Sequence, residues 1–441
     1  MRTDKIIEQV ENYKNFFTLE EIDKRAFELA NKYNFKIKTV GKSENNHPIY
    51  LIKAGNGEKK AFIWGFPHPN EPIGSMSIDF LINFFGKNKD ILKELGFTWY
   101  FIYSIDPDGM KLNETWFKNV SLKNLFLNFY RPSSDRMVDW TFPIKYKNYK
   151  WKKPMKETKI LMKVINNIKP DLMYPLHNST YGGAYFFCNK KFSNKYYKRM
   201  IKLIKKLKIP LHLGEGEEEF VEEIIPPFFY EFGLKDYYTH EVKLKHNPLK
   251  TLNHGDNSSA YLVRVNPNAV SITGEVPYFY DKEIENSKIS KKTRKEVWLE
   301  MLDKSDKNLK FFSKIVLLCL KKLDKNNPFY YVLKGIEKDI EHGNNNIRKY
   351  IMSSNKFKRN AKYSEIFDCT IGFNIYNTLK LGQIRRAAIE SNIDQYLIKD
   401  IENKIEENYT YIIKNSNLKP LPIKNLVQLQ IGYLFETLKE I

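Results

Sequence analysis

Cysteine is scarce in this chain: only Cys188, Cys319 and Cys369 occur, odd in number, far apart and without a CxxC pair. That excludes a disulfide framework and a cysteine-built zinc site, and makes a reducing cytoplasm the expected compartment. Long apolar runs are missing as well. The best stretch, FFSKIVLLCL from Phe311, is bounded by lysines and falls short of the roughly 18 consecutive apolar residues of a membrane span. The opening MRTDKIIEQVENYKNFF has neither a continuous apolar segment nor a small-residue cleavage site, so no signal peptide and no membrane partner are expected.

What is present suits a globular chain. Hydrophobic residues make up 42% and charged ones 28% of 441 residues, enough to bury a large core and to form two or three domains. The formal charge of +21 invites a nucleic-acid partner, because clustered Lys and Arg displace counterions from phosphates. Here the lysines run along the whole chain, interleaved with Glu and Asp, which argues against that partner. The basic RMIKLIKKLK from Arg199 and the acidic GEGEEEFVEE from Gly214 read as two solvated faces of opposite sign. No feature selects an oligomeric state.

Helix and strand signals alternate over residues 1–290, the mark of an α/β architecture. Thr18 to Glu21 forms a capping box that opens an amphipathic run to about Tyr33. Short β-prone runs follow at Lys36 to Val40, Pro48 to Lys53 and Lys60 to Phe66, then helical spacing from Pro72 to Phe85. Phe97 to Ile105 is apolar on both faces, as in a central strand. Further strands are predicted at Asp171 to His177, Ala184 to Cys188 and Ala269 to Gly274, with a basic helix ending near Lys208. Residues 291–441 change character: charged helical runs replace strand signals, and no chemical motif stands out. The expectation is a catalytic domain over 1–290 and a helical region over 291–441.

The chemistry concentrates in FIWGFPHPNEPIG, which sets His68 and Glu71 after a strand and at a helix start. Three residues apart on one turn, the two side chains share a face, with Cβ atoms about 5–6 Å apart. An imidazole and a carboxylate so placed can share a zinc ion, and a catalytic zinc takes a third protein ligand. Among the eight histidines, His177 is best placed, ending the strand DLMYPLH where open α/β sheets assemble their sites. His240, His246 and His254 compete from a polar, loop-like stretch. His212 reads as packed or exposed, and His47 and His342 as turn or surface residues. A carboxylate base is also needed near the activated water. Glu275, ending the strand in AVSITGEVPYFYD, projects from a sheet end and can serve.

In that order these segments resemble the zinc carboxypeptidases and their deacylase relatives. VGKSENNHPIYLIKAG is similar to the family's paired opening strands, HPNEPIG to its HxxE zinc motif, and SIDPDGMKLN to its Asn-Pro-Asp-Gly turn, with Asp106 in the Asn place. LHNSTYGGAYFF resembles the segment carrying the third ligand, and GEVPYF the strand bearing the catalytic glutamate. The resemblance implies a mixed central β-sheet flanked by helices on both faces, extended here by an all-helical C-terminus. It implies one zinc ion held by His68, Glu71 and His177, with Glu275 as base and then acid toward a peptide or acylated amino-acid substrate.

One departure is marked. Where family members that remove C-terminal residues carry Asn-Arg before Phe-Pro, this chain reads VDWTFP, with Trp140 and Thr141 in those places. Arg131 in NFYRPSSDR is the preferred group for polarising the scissile carbonyl, with Arg136 and Tyr278 as candidate substrate contacts. The leading expectation is a carboxypeptidase-like metallopeptidase. An N-acyl amino-acid deacylase of the aspartoacylase kind, and a non-catalytic module binding an anionic polymer through the basic tail, are the alternatives.

Overall fold

The computed structural model describes residues 2–216 and 218–441. Its centre is a ten-stranded sheet. In chain order the strands are β1 (Lys36–Lys42), β2 (Pro48–Ala54), β3 (Lys59–Gly65), β4 (Phe97–Ile102), β5 (Leu172–Tyr181), β6 (Tyr185–Cys188), β7 (Glu223–Ile225), β8 (Phe228–Tyr230), β9 (Val270–Tyr280) and β10 (Lys419–Pro420). They lie in the order β1-β2-β4-β3-β5-β9-β6-β8-β7, with β10 paired to β9. The inner run β4-β3-β5-β9 is parallel, whereas β1-β2, β2-β4, β9-β6 and β8-β7 are antiparallel. The sheet is therefore mixed, as expected.

Side chains alternate across a strand, and the core divides accordingly. On β3, Ala61 and Ile63 face one hydrophobic cluster while Phe62 and Trp64 face the other. The helices Lys156–Ile168 and Ser258–Val265 cover the second face; Leu19–Tyr33, Ile73–Lys87, Asn194–Lys206 and Ile423–Thr437 cover the first. Both faces are shielded, so the middles of the parallel strands are largely apolar, and every residue of β5 is buried, including the polar run His177 to Thr180 at its carboxyl end. The capping box at Thr18 and Glu21 forms as predicted.

The C-terminal helices do not stand apart from the sheet. Residues from the helices Phe373–Glu390 and Ile423–Thr437 belong to the same apolar cluster as β3 and β5. Gln430, fully buried, donates its amide to the carbonyls of His177 and Gly274, 2.8 Å away in each case, and accepts from the Tyr174 hydroxyl. Pro175 has no N–H to give the ladder at this point, and the β5–β9 pairing skips between Met173 and Leu176. The side chain on the C-terminal helix thus completes the hydrogen bonding beside the strand ends. Among the described residues no helix is long and apolar enough to cross a membrane.

Candidate active site

β3 ends at Gly65, and the chain turns sharply at Phe66 (φ 58°), a left-handed conformation uncommon for a large side chain. Its ring is fully buried, next to Phe117. The turn carries His68 and Glu71 over the carboxyl end of the sheet and into the Ile73–Lys87 helix. That helix has no side-chain cap of its own. Asn178, the residue after His177, accepts the orphan Ile73 N–H at 3.0 Å and donates to Val276 O at 2.9 Å, so one amide ties the helix start to β5 and β9. Gly65 and Gly74 meet almost backbone to backbone: a Cβ on Gly74 would stand 2.5 Å from Gly65 Cα. Any larger residue would push the helix off the strand.

His68, Glu71 and His177 converge. Nδ1 of His68 lies 2.8 Å from Glu71 Oε1, and Nδ1 of His177 lies 3.0 Å from Glu71 Oε2. One ligand atom from each residue falls within 4.8 Å of the other two, the one such cluster among the described residues. All three are buried. His68 Nε2 has no hydrogen-bond partner, and Glu71 Oε2 and His177 Nδ1 face only each other at 3.0 Å, although buried polar atoms are nearly always paired. A cation resolves this, and two imidazoles plus one carboxylate with an open fourth position fit zinc. Burial, then the Arg131 charge, lowers the His68 pKa to about 4, which leaves its lone pair available for a ligand bond. Burial opposes ionisation of Glu71, but His68 and His177 outweigh it and hold the carboxyl well below its usual range. His177 is pushed the other way: against burial, the Glu71 charge first and Asp139 next hold a proton on it. Surroundings that retain a proton there also favour a metal cation.

Glu275 stands beside this cluster because β5 and β9 pair in register, Glu275 opposite His177; its Oε1 is 3.5 Å from His177 Nδ1. Arg131 donates from one terminal nitrogen to Glu71 Oε1 at 2.7 Å and to Asn70 Oδ1 at 3.2 Å. Two further residues, whose short polar side chains gave no periodic signal, complete the arrangement. Asp139 lies 3.6 Å from His177 Nε2 and accepts the Ser258 N–H at 2.8 Å, the carboxylate–imidazole pairing that orients metal-binding histidines. Asn113, fully buried, donates to the carbonyls of Pro69, Gly109 and Tyr130 and accepts from Tyr130 N and Trp116 Nε1. It joins the HPNE loop, the DPDG turn and the segment leading to Arg131.

The cluster opens into a cavity of about 440 Å³ that Arg131, Glu275, Ser179 and Tyr185 help to line. Its far wall comes from the Pro328–His342 and Phe373–Glu390 helices, including Lys338, His342 and Tyr376. Gln383 accepts the Arg131 N–H at 2.7 Å, and Arg386 donates to the carbonyls of Leu112, Asn128 and Phe129. Helices without a sequence motif thus grip the arginine loop. Arg136 and Tyr278 are not brought into the cavity. The Arg136 guanidinium stacks 3.7 Å over Tyr331, and the buried Tyr278 hydroxyl donates to Asn70 O at 2.5 Å. Of the competing histidines, His246 pairs with Glu241, His254 meets Trp140 edge-on, and His240 lies against Phe220. Trp140 and Thr141, which precede Phe142 and Pro143, are structural: Trp140 packs on Phe232 and Tyr237, and the Thr141 hydroxyl bonds to Thr158.

No curated protein sequence matches the chain. Among solved structures, a protein from Shewanella amazonensis assigned as a metallopeptidase is 11% identical, with a TM-score of 0.40 over 59% of this chain and 84% of that one. A metallo-carboxypeptidase from Burkholderia cenocepacia gives 13% identity and a TM-score of 0.35 over 59% and 60%, and carboxypeptidase A from Helicoverpa armigera gives 11% and 0.38 over 63% and 70%. The family model described as zinc carboxypeptidase, peptidase family M14, matches residues 25–211, a span that includes His68, Glu71 and His177. By that match, residues 25–211 of this chain are similar to the zinc carboxypeptidase family.

Proposed function

We propose that this protein hydrolyses a peptide or closely related amide bond at the cavity above His68, Glu71 and His177, with one zinc ion held by those residues. The observation that carries the reading is the convergence of three buried ligand atoms, one each from His68, Glu71 and His177, within 4.8 Å of one another. When bound, zinc supplies Lewis acidity and lowers the pKa of a coordinated water toward about 7. Glu275, in register with His177, accepts a proton from the attacking water and returns it to the leaving amine. Asp139 holds the His177 ring by its Nε2 edge. Arg131 uses one nitrogen on Glu71 and has further N–H donors for the developing oxyanion, a contribution of about 3–4 kcal/mol in comparable sites.

The substrate reading stays with the bond rather than with a free C-terminus. Trp140 and Thr141 supply no guanidinium where a terminal carboxylate would be held, and both are engaged in packing or hydrogen bonding. Metal analysis by mass spectrometry tests the proposal on wild type, His68→Ala, His177→Ala and Glu275→Gln. The expected result is near-stoichiometric zinc, lost in both histidine variants and kept in Glu275→Gln, with peptide hydrolysis lost in all three. Wild-type protein that takes up no zinc on reconstitution sinks the reading.

A further inference from the structure

Two chambers, not one, lie over the carboxyl ends of β5 and β9. The second, about 420 Å³, shares Ser179, Tyr185 and Tyr376 with the first. Ser179 is two residues beyond His177 on β5, so the shared wall begins next to the metal-binding cluster. Tyr376, half exposed, meets Tyr181 edge-on with ring centroids 5.7 Å apart. Beside Tyr181, His212, Glu215, Gly216 and Asp368, the rest of the chamber is built by Trp298 and Met301 of the Arg294–Lys322 helix, by Cys369 of a π-helical turn, and by Phe373. The last four positions lie outside the 25–211 family segment.

Both carboxylates bordering this chamber are already engaged, whereas the buried His212 Nδ1 and Ser179 Oγ have no hydrogen-bond partner. Glu215 is held by Arg294 and by the Trp298 indole N–H at 2.9 Å, and Asp368 accepts the Tyr181 hydroxyl and the Glu215 N–H, each at 2.7 Å. What remains for a ligand is ring surface, a thioether and those two polar atoms; the rings and the thioether reward apolar and aromatic contact, and neither carboxylate is without a partner. The volume lies in the range of about 300–1,000 Å³ usual for ligand sites.

We propose that this second chamber is a specificity subsite for a bulky apolar side chain, above all an aromatic one, close to the bond that is cleaved. The assignment rests on the hydrolase reading above, which places the reacting bond in the first cavity. The C-terminal helices then select the substrate, while the family segment supplies the zinc ligands.

The test uses the full-length, zinc-loaded protein and two arms. In the first, calorimetry compares binding of N-acetylphenylalanine amide with N-acetylglycine amide. In the second, kcat/KM is measured on peptide pairs that differ only by Phe or Gly at successive positions flanking one bond. A preference for the aromatic of about 10-fold or more is expected in both arms, from the burial of one large side chain. Met301→Trp, which fills the chamber, should bring the ratio to within about twofold, and Phe373→Ala, which removes a wall, should reduce it. Circular dichroism checks the fold of each variant, and Phe373→Ala decides alone if Met301→Trp does not fold. No aromatic preference in wild type, or one that a folded chamber variant leaves unchanged, overturns the subsite. Equal hydrolysis of both peptide series would do so while leaving the hydrolase reading intact. Selective binding without hydrolysis of either series would reject the hydrolase reading and leave the chamber as an aromatic-binding site.

Discussion

Replacing Asp106 by Asn should stabilise the protein above neutral pH and leave it unchanged in acid. Asp106 caps the short Pro107–Lys111 helix by accepting the Gly109 N–H at 2.8 Å, and it is 5% exposed. Burial, then the neighbouring charges of Glu157 and Asp108, raise its pKa from 3.8 to about 7. The folded state therefore binds this proton more tightly than the unfolded chain. The associated stability is fully present below about pH 4 and is lost as pH rises through about 7. The gap between 3.8 and about 7, at about 1.4 kcal/mol per pH unit, amounts to about 4 kcal/mol. Asparagine keeps the carbonyl oxygen that caps the helix and removes the charge. Urea unfolding of both proteins from pH 4 to pH 9 should show equal stability near pH 4 and a difference growing toward about 4 kcal/mol above pH 8. A difference independent of pH, or an Asn variant less stable at pH 8.5, would refute the reasoning.

Three further outcomes follow from the same structure. Asp139→Ala, by releasing the Nε2 edge of His177, should weaken zinc binding about 10- to 100-fold in a chelator competition assay, whereas an unchanged affinity would remove Asp139 from the metal site. Asn113→Ala strands several buried donors and acceptors in three loops and should cost about 3–5 kcal/mol in urea unfolding; a loss under 1 kcal/mol would mean that water replaces the amide. Gly382→Ala would put a Cβ 1.7 Å from the Phe126 carbonyl oxygen, and should lower the thermal midpoint by the equivalent of about 2–3 kcal/mol as the Phe373–Glu390 helix is pushed away.

Much of the site was legible in local pattern. An HxxE pair after an apolar strand and before a helix depends only on neighbouring residues, and the expected elements carry His68, Glu71, His177 and Glu275 to one end of one sheet. The misplaced candidates have equally local causes. Tyr278 is near Glu275 in sequence, but a separation of three on a strand puts two side chains on opposite faces, and its hydroxyl donates to the Asn70 carbonyl. Arg136 is only five residues from Arg131, yet an aromatic partner on a distant helix, Tyr331, takes it away from the cavity.

Local sequence was enough for the α/β class, the lack of a cysteine framework, and the residue types and order of the candidate metal-binding cluster. Each of these is set by composition, by a two- or 3.6-residue period, or by a few adjacent residues. Tertiary structure alone decided that Glu275 pairs in register with His177, that Asp139 backs His177, and that the motif-free C-terminal helices wall both chambers. Those facts rest on contacts such as Gln383 to Arg131, 252 positions apart, and Gln430 to the His177 carbonyl, 253 apart. No local periodicity records such contacts, because they arise only when strand order and helix packing bring distant segments together.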